Sequence, residues 1–329
     1  MLRLRPVRAR ANSKDDAALL ARVARLAGVE AATLEQRLQA LWGGYGELLR
    51  VSLEDGRSVI VKHVAPPRDD GSLSHRRKLR SYDAERTFYA EYAKRCEEPP
   101  PCRVPRAHGV VASDAGWLFV LEDLDASGFP GRSSRAGDAE IRATLRWLAR
   151  FHARFLGAAP EGVWKVGTYW HLATRPDELR ALGSHPLTRA APRLDALLNG
   201  AQFRTFVHGD AKLENVCFSS GSSEAALVDF QYVGGGVGVK DVAYFLSSCL
   251  SPRECEGSVP AYLEHYFHEL TAALGSASAG PVEREWRALF PVAWVDFYRF
   301  YRGWAPGDSS RDDYSERLLA EVRPLLKSG

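Results

Sequence analysis

The chain has 329 residues and a formal net charge of +3, from 44 basic and 41 acidic residues. Charges so evenly balanced argue against a nucleic-acid partner, and the length is sufficient for two lobes with well-filled cores. No apolar run could span a bilayer and no signal-peptide core is present, so we expect a cytoplasmic protein without a membrane partner.

The N-terminal part is predicted to contain a tail followed by two helices. Residues 1–12 include several arginines and no acidic residue, which is typical of a disordered tail, although an organelle transit peptide is an alternative. One helix is expected to begin at Ser13 and to end at Gly28. Thr33 and Gln36 form a capping-box pattern that predicts a second helix.

A glycine-rich segment comes next, with Gly43, Gly44 and Gly46 ahead of a strand-like run at residues 48–51. Glycines allow backbone amides to approach phosphate groups closely, as in a loop that covers a nucleotide. An ordinary hairpin has the same composition, so the pattern alone leaves both interpretations open.

Three further segments carry charged residues. Ser58–Val64 is apolar and β-favouring and predicts a strand with Lys62 near its end. The basic run at residues 75–80 is interpreted as a solvated loop or helix start, since no aromatic platform for nucleic acid is interleaved. Residues 83–89 have helical character and contain Glu85. By position alone, a surface lysine and a solvated glutamate are the simpler interpretation.

The middle of the chain contains the best candidate for a boundary between lobes. Residues 117–124 predict a strand that runs into a linker, and residues 125–138 are rich in Gly, Ser and Arg. We therefore expect an N-terminal lobe of residues 1–124 and a C-terminal lobe of residues 125–329.

The most informative stretch of the chain reads HGDAKLEN. It places Asp210, Lys212 and Asn215 on one loop after the apolar run Thr205–Val207, and Asp229 follows a second apolar run. Phosphoryl transfer requires a carboxylate that accepts the proton of the acceptor hydroxyl, and an amide and a second carboxylate that bind magnesium. An isolated His-Gly-Asp would be an ordinary strand exit, but the joint spacing favours catalysis.

The chain around the second aspartate supports this interpretation. A polar turn at residues 219–223 predicts a hairpin that brings Asn215 and Asp229 together, and two oxygen donors on neighbouring strands suit Mg²⁺. Only a short stretch separates Asp229 from Asp241. It leaves no room for the long segment with which protein kinases dock a peptide, which favours a small-molecule substrate.

HGDAKLEN and the VDFQ around Asp229 resemble the aminoglycoside phosphotransferase and choline kinase superfamily, which shares its core with protein kinases. Longer phrases, including KLRSYDAERTFY and VLEDLDASGFP, are similar to the ecdysteroid-kinase-like branch. The resemblance covers the chain from about residue 40 onward. It implies an α+β, bilobal protein-kinase-like fold, with an antiparallel sheet in a small N-terminal lobe and a larger, mainly helical C-terminal lobe.

The resemblance also implies roles for individual residues. It makes Lys62 the contact of the nucleotide's α- and β-phosphates and Glu85 the partner that holds its ammonium group. It assigns the glycine-rich segment to the nucleotide, and the backbone from Glu122 to Leu124 to the adenine edge. Asp241 would anchor the backbone of the catalytic loop; a helix N-terminal aspartate is the simpler interpretation and is compatible with that role.

Two aromatic groups are candidates for the acceptor pocket, namely Tyr169, Trp170 and His171 in the first, and Trp294 and Tyr298 on a predicted helix in the second. Such aromatics line a core more often than a pocket. Choline kinases hold a quaternary ammonium by cation–π contact, whereas the ecdysteroid-kinase-like branch implies a bulky apolar alcohol. A cation, a sterol-like alcohol, a sugar and an antibiotic all stay open.

The predicted function is therefore a kinase that uses ATP and Mg²⁺ to phosphorylate a small hydroxylated molecule. Asp210 is the predicted base, and Lys212 is predicted to neutralise charge on the γ-phosphoryl group. The alternative is a pseudokinase or scaffold that binds nucleotide without turnover, and the intact set of Asp210, Asn215 and Asp229 argues against it. The five scattered cysteines, an odd number without a CxxC pair, favour reduced thiols.

Overall fold

The computed structural model describes residues 14–307 and 312–327. The predicted tail at residues 1–12 and the predicted helix start at Ser13 lie outside these ranges. The first described helix, α1 (Lys14–Ala27), ends directly before Gly28, as predicted. Gly28 has a φ of 75°, the left-handed conformation in which many helices end.

A five-stranded antiparallel sheet in the order β1-β2-β3-β5-β4 dominates the first part of the chain. Its strands are β1 (Ala32–Ala40), β2 (Gly46–Leu53), β3 (Ser58–Val64), β4 (Ala107–Ser113) and β5 (Gly116–Glu122). Leu19 and Val23 of α1 are buried with Val51 and Val59 of the sheet. The strands predicted around Lys62 and ahead of the linker are confirmed.

The helix predicted from Thr33 and Gln36 is wrong, because these residues belong to the edge strand β1. The register between β1 and β2 shifts twice, and each irregularity interrupts the strict alternation of side chains that marks a strand. Leu34, Leu38 and Leu41 therefore fall at a helix-like spacing although the backbone is extended.

The long connection between β3 and β4 contains the helix α2 (Leu73–Thr87). Ser72 caps its start, because the Ser72 side chain accepts a hydrogen bond from the His75 amide at 2.9 Å. The basic run at residues 75–80 lies in the first turns of this helix, so the helix start is the correct one of the two predicted alternatives. A π-type turn, Phe88–Tyr92, follows α2.

The remainder of the chain is mainly helical. Its helices are α3 (Asp138–Arg154), α4 (Pro176–Ala181), α5 (Pro186–Asn199), α6 (Val239–Cys249), α7 (Pro252–Leu274), α8 (Ser276–Trp304) and α9 (Asp313–Lys327). Two short antiparallel pairs lie among them: β6 (Thr205–Val207) with β9 (Gly234–Gly236), and β7 (Val216–Phe218) with β8 (Ala225–Leu227). These pairs position the polar residues of the candidate site.

The architecture is α+β, as predicted, with the main sheet preceding the long helices along the chain. The lobe boundary at residue 124 remains a prediction. All five cysteines are free. Within the described ranges, no helix combines the length and the apolar character that crossing a membrane would require.

Candidate active site

The buried carboxylate of Asp241 holds the turn that follows β6. Its Oδ2 accepts the His208 amide at 2.5 Å and its Oδ1 accepts the Gly209 amide at 2.9 Å. His152 Nε2 lies 3.1 Å from the same Oδ2, so this histidine belongs to the buried scaffold. Gly209 has a φ of 82°, and a Cβ there would lie 2.1 Å from the Tyr232 carbonyl oxygen. The turn therefore requires glycine.

The carboxylate of Asp210, the next residue, contacts three side chains. Asn215 Nδ2 donates to the Asp210 carbonyl at 2.8 Å and to its Oδ2 at 3.0 Å. Lys212 Nζ lies 3.4 Å from the same Oδ2. The Tyr244 hydroxyl donates to Oδ1 at 3.3 Å. The spacing in HGDAKLEN thus brings Asp210, Lys212 and Asn215 together, while Tyr244 comes from helix α6.

The backbone of the β7–β8 hairpin brings Asn215 and Asp229 close together, as predicted. The Val228 amide donates to the Asn215 carbonyl at 3.1 Å. Asp229 adopts a φ of 70°, which is rare for a residue with a side chain. Strained backbone of this kind occurs often at functional sites.

Lys62 lies between two carboxylates. Its Nζ is 2.7 Å from Glu85 Oε2 and 3.1 Å from Asp229 Oδ1. Lys62 and Glu85 are buried, whereas the Asp229 side chain is 33% exposed. The surface interpretation of Lys62 and Glu85 is therefore excluded, and β3, α2 and the β7–β8 hairpin meet at this ion pair.

The aromatic core supports the same junction. Phe88, directly after α2, stacks on Phe230 with ring centroids 3.9 Å apart. Phe230 follows Asp229 in the chain, and Phe88 lies one helical turn after Glu85. This stacking packs the chain after Glu85 against the chain after Asp229.

The electrostatics of the site divide the carboxylates into two kinds. Burial raises the pKa of Asp210 to about 7, against the opposing effect of Lys212. Burial also acts to raise the pKa of Asp229, but the ammonium groups of Lys62 and Lys212 outweigh it and hold that pKa below its ordinary value. A carboxyl group that titrates near neutral pH can exchange a proton with a substrate, whereas one that stays ionised can bind a cation.

A cavity of about 760 Å³ extends from these carboxylates to helix α8. Of the predicted acceptor residues, Tyr169, Trp294 and Tyr298 line it. Trp170 does not, since it is fully buried, and His171 instead lies with its Nε2 3.6 Å from Asp195 Oδ1.

The glycine-rich segment forms the turn between β1 and β2. Gly43 and Gly44 have φ values of 69° and 75° in a short helical turn that begins at Trp42, and Trp42 lines the cavity. Gly46 has a different role, because a Cβ there would lie 2.0 Å from the His63 carbonyl oxygen. Pairing of β2 with β3 therefore requires Gly46 whether or not a nucleotide binds.

The predicted linker is partly engaged by protein groups. The Glu122 amide donates to the Arg106 carbonyl at 2.8 Å, and its carboxylate accepts from Arg103 at 2.5 Å. Among the described residues, no hydrogen bond engages the Leu124 amide. The Glu122 amide is therefore already used within the protein, and an adenine contact by the Leu124 amide stays a prediction.

Sequence reasoning missed several residues of the site. Tyr244 follows Asp241 by three positions on α6, so it lies on the same helical face, and that spacing could have revealed it. Arg77, Arg175 and Tyr232 also line the cavity. They come from separate segments and carry no local pattern that would have indicated them.

Solved kinases share this fold. A protein from Thermobifida fusca YX-ER1 provisionally named fructosamine-3-kinase has a TM-score of 0.53 and 19% identity, covering 94% of this chain and 99% of that chain. An amicoumacin kinase in complex with AMP-PNP, Ca²⁺ and Ami has a TM-score of 0.53 and 15% identity, with coverage of 95% and 92%. The microcompartment-associated aminopropanol kinase has a TM-score of 0.50 and 14% identity, with 90% of each chain covered.

At these identities the similarity establishes the fold, and the predicted fold class, the kinase-like phosphotransferase fold, is confirmed. The sequence profile of the APH phosphotransferase enzyme family matches residues 37–279. The chain belongs to this family. No curated protein gives a significant match.

Proposed function

We propose that this protein transfers the γ-phosphoryl group of ATP to a hydroxyl group of a small molecule. The observation that carries the proposal is the convergence of Asp210, Lys212 and Asp229 on one cavity. Asn215 is hydrogen-bonded to Asp210, and Lys62 is ion-paired to Asp229. Membership of a phosphotransferase family supports the same reaction type.

The residues present fit a nucleotide with a magnesium ion. Asn215 Nδ2 is used by Asp210, so the amide oxygen of Asn215 and the Asp229 carboxylate would be the metal ligands. Two hard oxygen donors suit Mg²⁺, which completes its coordination with phosphate and water. The metal, when bound, would screen the charge of the phosphates. Lys62 would contact the α- and β-phosphates, and the Leu124 amide would donate to adenine.

The transfer step that we propose is a direct in-line displacement. The acceptor oxygen forms a bond to the γ-phosphorus while the bond from that phosphorus to the β-γ bridging oxygen breaks, so ADP leaves. Asp210 orients the acceptor hydroxyl and takes its proton, and Lys212 offsets negative charge on the transferred group. The raised pKa of Asp210, which burial causes, makes it a better proton acceptor than a solvated carboxylate.

Two features support a small acceptor. Asp229 is followed within a few residues by β9 and helix α6, so no long peptide-docking segment intervenes. The cavity of about 760 Å³ lies in the size range of small-molecule sites. Two of the similar structures are named as kinases of amicoumacin and aminopropanol.

We further propose that the chain belongs to the ecdysteroid-kinase-like branch and that its two lobes meet at residue 124.

The test is a screen of a hydroxyl-compound library with ATP and Mg²⁺, in which phosphorylated products are detected by mass. At least one compound should gain a phosphoryl group, and the Asp210→Asn variant should not form that product. Nucleotide binding without a product from any compound would favour the pseudokinase alternative instead.

A further inference from the structure

Two cations on the wall of the cavity, Arg77 and Lys78, make contacts with groups other than carboxylates. Arg77 of α2 donates to the Thr174 carbonyl at 2.9 Å and to Ser74 Oγ at 3.2 Å, and its buried Nε has no hydrogen-bond partner. Lys78 places its Nζ 4.3 Å from the centre of the Tyr45 ring. Within residues 14–307 and 312–327, neither side chain forms an ion pair.

Lys212 and Arg175 on the same wall have carboxylate neighbours. Lys212 lies 3.4 Å from Asp210, and Arg175 lies 3.1 Å from Glu178. Arg77 differs from both, because its described hydrogen bonds go to a carbonyl and a hydroxyl oxygen. Burial and, to a smaller extent, the neighbouring Arg77 lower the pKa of Lys78, and the carboxylate of Asp70 opposes them. The two cations therefore repel each other beside one acidic group.

Arg77 and Lys78 differ in position: Lys78 Nζ lies beside the glycine-rich segment, where a Cβ on Gly43 would come within 2.6 Å of it, whereas Arg77 lies away from the Lys62–Glu85 ion pair. Arg77 precedes Glu85 by eight residues on α2, which corresponds to about 12 Å along the helix axis. Arg77 is instead close to Tyr232: burial raises the pKa of the Tyr232 phenol, and the guanidinium groups of Arg175 and Arg77 oppose the rise. The charge of Arg77 therefore lies on the wall of the acceptor cavity beside Tyr232.

The rest of the cavity wall is largely aromatic. Among the side chains that line it are Tyr169, Tyr232, Phe297, Tyr298 and Tyr301. Flat rings of this kind bind an apolar or ring-shaped body. A polycationic acceptor would need several carboxylates outside the transfer site. Glu214 and Asp312 are the two acidic residues that line the cavity there, so the composition of the wall favours an apolar acceptor over a polycationic one.

We propose that Arg77 is the centre of an anion subsite, and that the acceptor is a hydroxylated molecule with an apolar ring body and a carboxylate group. This inference rests on the proposed kinase function, since it identifies the substrate class of the same cavity. The guanidinium of Arg77 suits a planar carboxylate, and Lys78 adds a second positive charge.

The experiment uses matched triplets of aromatic alcohols, each as the carboxylate, the carboxamide and the amine, for example para-(hydroxymethyl)benzoate with its amide and its amine analogue. Binding to the full chain is followed by fluorescence of the tryptophans on the cavity wall, Trp42, Trp294 and Trp304. Phosphorylation with ATP and Mg²⁺ is measured in parallel.

The unmodified protein should bind carboxylates more tightly than amides or amines. Arg77→Gln should weaken carboxylate binding by about ten- to a hundredfold, the range for a charged hydrogen bond, with little change for the amide. Arg77→Lys should retain part of the preference. Arg76→Gln is the matched control, because Arg76 is exposed and donates to the Gly71 carbonyl. The KM for ATP should be unchanged throughout.

The subsite would be overturned by tighter binding of the amines, by a carboxylate preference that survives Arg77→Gln, or by a rise in the KM for ATP that equals the loss of carboxylate affinity. The last result would assign the cation to the nucleotide. Failure of every carboxylate to bind would also overturn it. If carboxylates bind in an Arg77-dependent way but no compound is phosphorylated, the subsite stands and the kinase proposal fails.

Discussion

The two ends of the cavity are built differently. At the transfer end, Asp210, Lys212 and Asn215 come from six consecutive residues and contact one another directly. At the acceptor end, the wall is contributed by α2, the segment before α4, and helix α8. The geometry of the transfer end therefore follows from the conformation of one loop, whereas the geometry of the acceptor end depends on the packing of elements that are distant in sequence.

This difference suggests that the transfer end is insensitive to the acceptor and the acceptor end is free to vary. Substitutions at the transfer end should change the rate of chemistry for every acceptor. Substitutions at the acceptor end should change which acceptor binds. Variants at each end test whether the rate of chemistry and the choice of acceptor are controlled independently.

The largest effect is expected for Asp210→Asn, which keeps the shape of the side chain but removes the proton acceptor. Loss of a general base lowers kcat by about 10²- to 10⁴-fold, while the nucleotide Kd should change little because Asp210 is not proposed to contact phosphates. Steady-state kinetics and calorimetry measure the two quantities. Asp177→Asn is the control, since that carboxylate is exposed on α4. A near-normal kcat would refute the assignment of the base.

Asp241→Asn tests the scaffold under the same loop. The carboxylate accepts from two backbone amides while fully buried, and an amide side chain can offer only one acceptor oxygen. Leaving a buried donor unpaired should lower the free energy of unfolding by about 3 kcal/mol. Urea denaturation measures the loss, with Asp138→Asn as an exposed control. An unchanged midpoint would mean that Asp241 does not hold the turn.

Much of the transfer end was predictable because its elements are short and apolar. The predicted strands Thr205–Val207 and Ser58–Val64 form with those same bounds, since β-branched and aromatic residues fill each of them. The contact between Asn215 and the chain around Asp229 follows from the hairpin. The contact of Lys62 with Glu85 had a different basis, because only the family resemblance paired residues so far apart.

The acceptor end resisted prediction for physical reasons. Trp170 and Tyr169 are adjacent in sequence, yet only Tyr169 reaches the cavity, and a local pattern does not show which of two neighbouring rings will be buried. Arg77 lies in a basic run that resembles a solvated helix face. Its place on the cavity wall follows from the packing of α2 beside the segment that contains Thr174, and that contact is not encoded locally.

Lys212→Met sharpens the electrostatic side of the comparison. Lys212 lowers the pKa of Asp210, which burial raises to about 7, so removing the ammonium should raise that pKa further. Asp210 must be ionised to accept a proton, and the rising limb of kcat/KM should therefore move to higher pH. At neutral pH the rate should fall by about tenfold for each unit of the shift. Control profiles with Lys165→Met should match the unmodified protein.

If the rising limb of kcat/KM stays at the same pH, Lys212 does not affect the ionisation of Asp210. The rate could still fall in that case, because Lys212 is also proposed to offset charge on the transferred group. The pH profile thus distinguishes the two roles of the Lys212 ammonium. A lower rate at every pH, with the rising limb in place, would mean that Lys212 stabilises only the transition state. A rising limb at higher pH would mean that Lys212 also lowers the pKa of Asp210.

The smallest expected effect belongs to Tyr244→Phe, at the junction of the two ends. The Tyr244 hydroxyl donates to Asp210 at 3.3 Å, while its ring lies 4.8 Å from that of Phe297 on the acceptor side. Phenylalanine keeps the ring and removes one hydrogen bond, so kcat should fall by about threefold to tenfold with an unchanged acceptor KM. Tyr92→Phe, whose hydroxyl donates elsewhere to the Glu161 carbonyl, is the matched control.

The direction of the accompanying pH shift follows from the same contact. A hydrogen bond donated to the carboxylate favours its ionised form, so Tyr244→Phe should displace the rising limb of kcat/KM to higher pH, as Lys212→Met does but less far. A raised acceptor KM with an unchanged limb would mean that Tyr244 acts on the acceptor through its ring surroundings. Tyr244 would then belong to the acceptor end of the cavity, and Asp210 would be the residue at which the two ends meet.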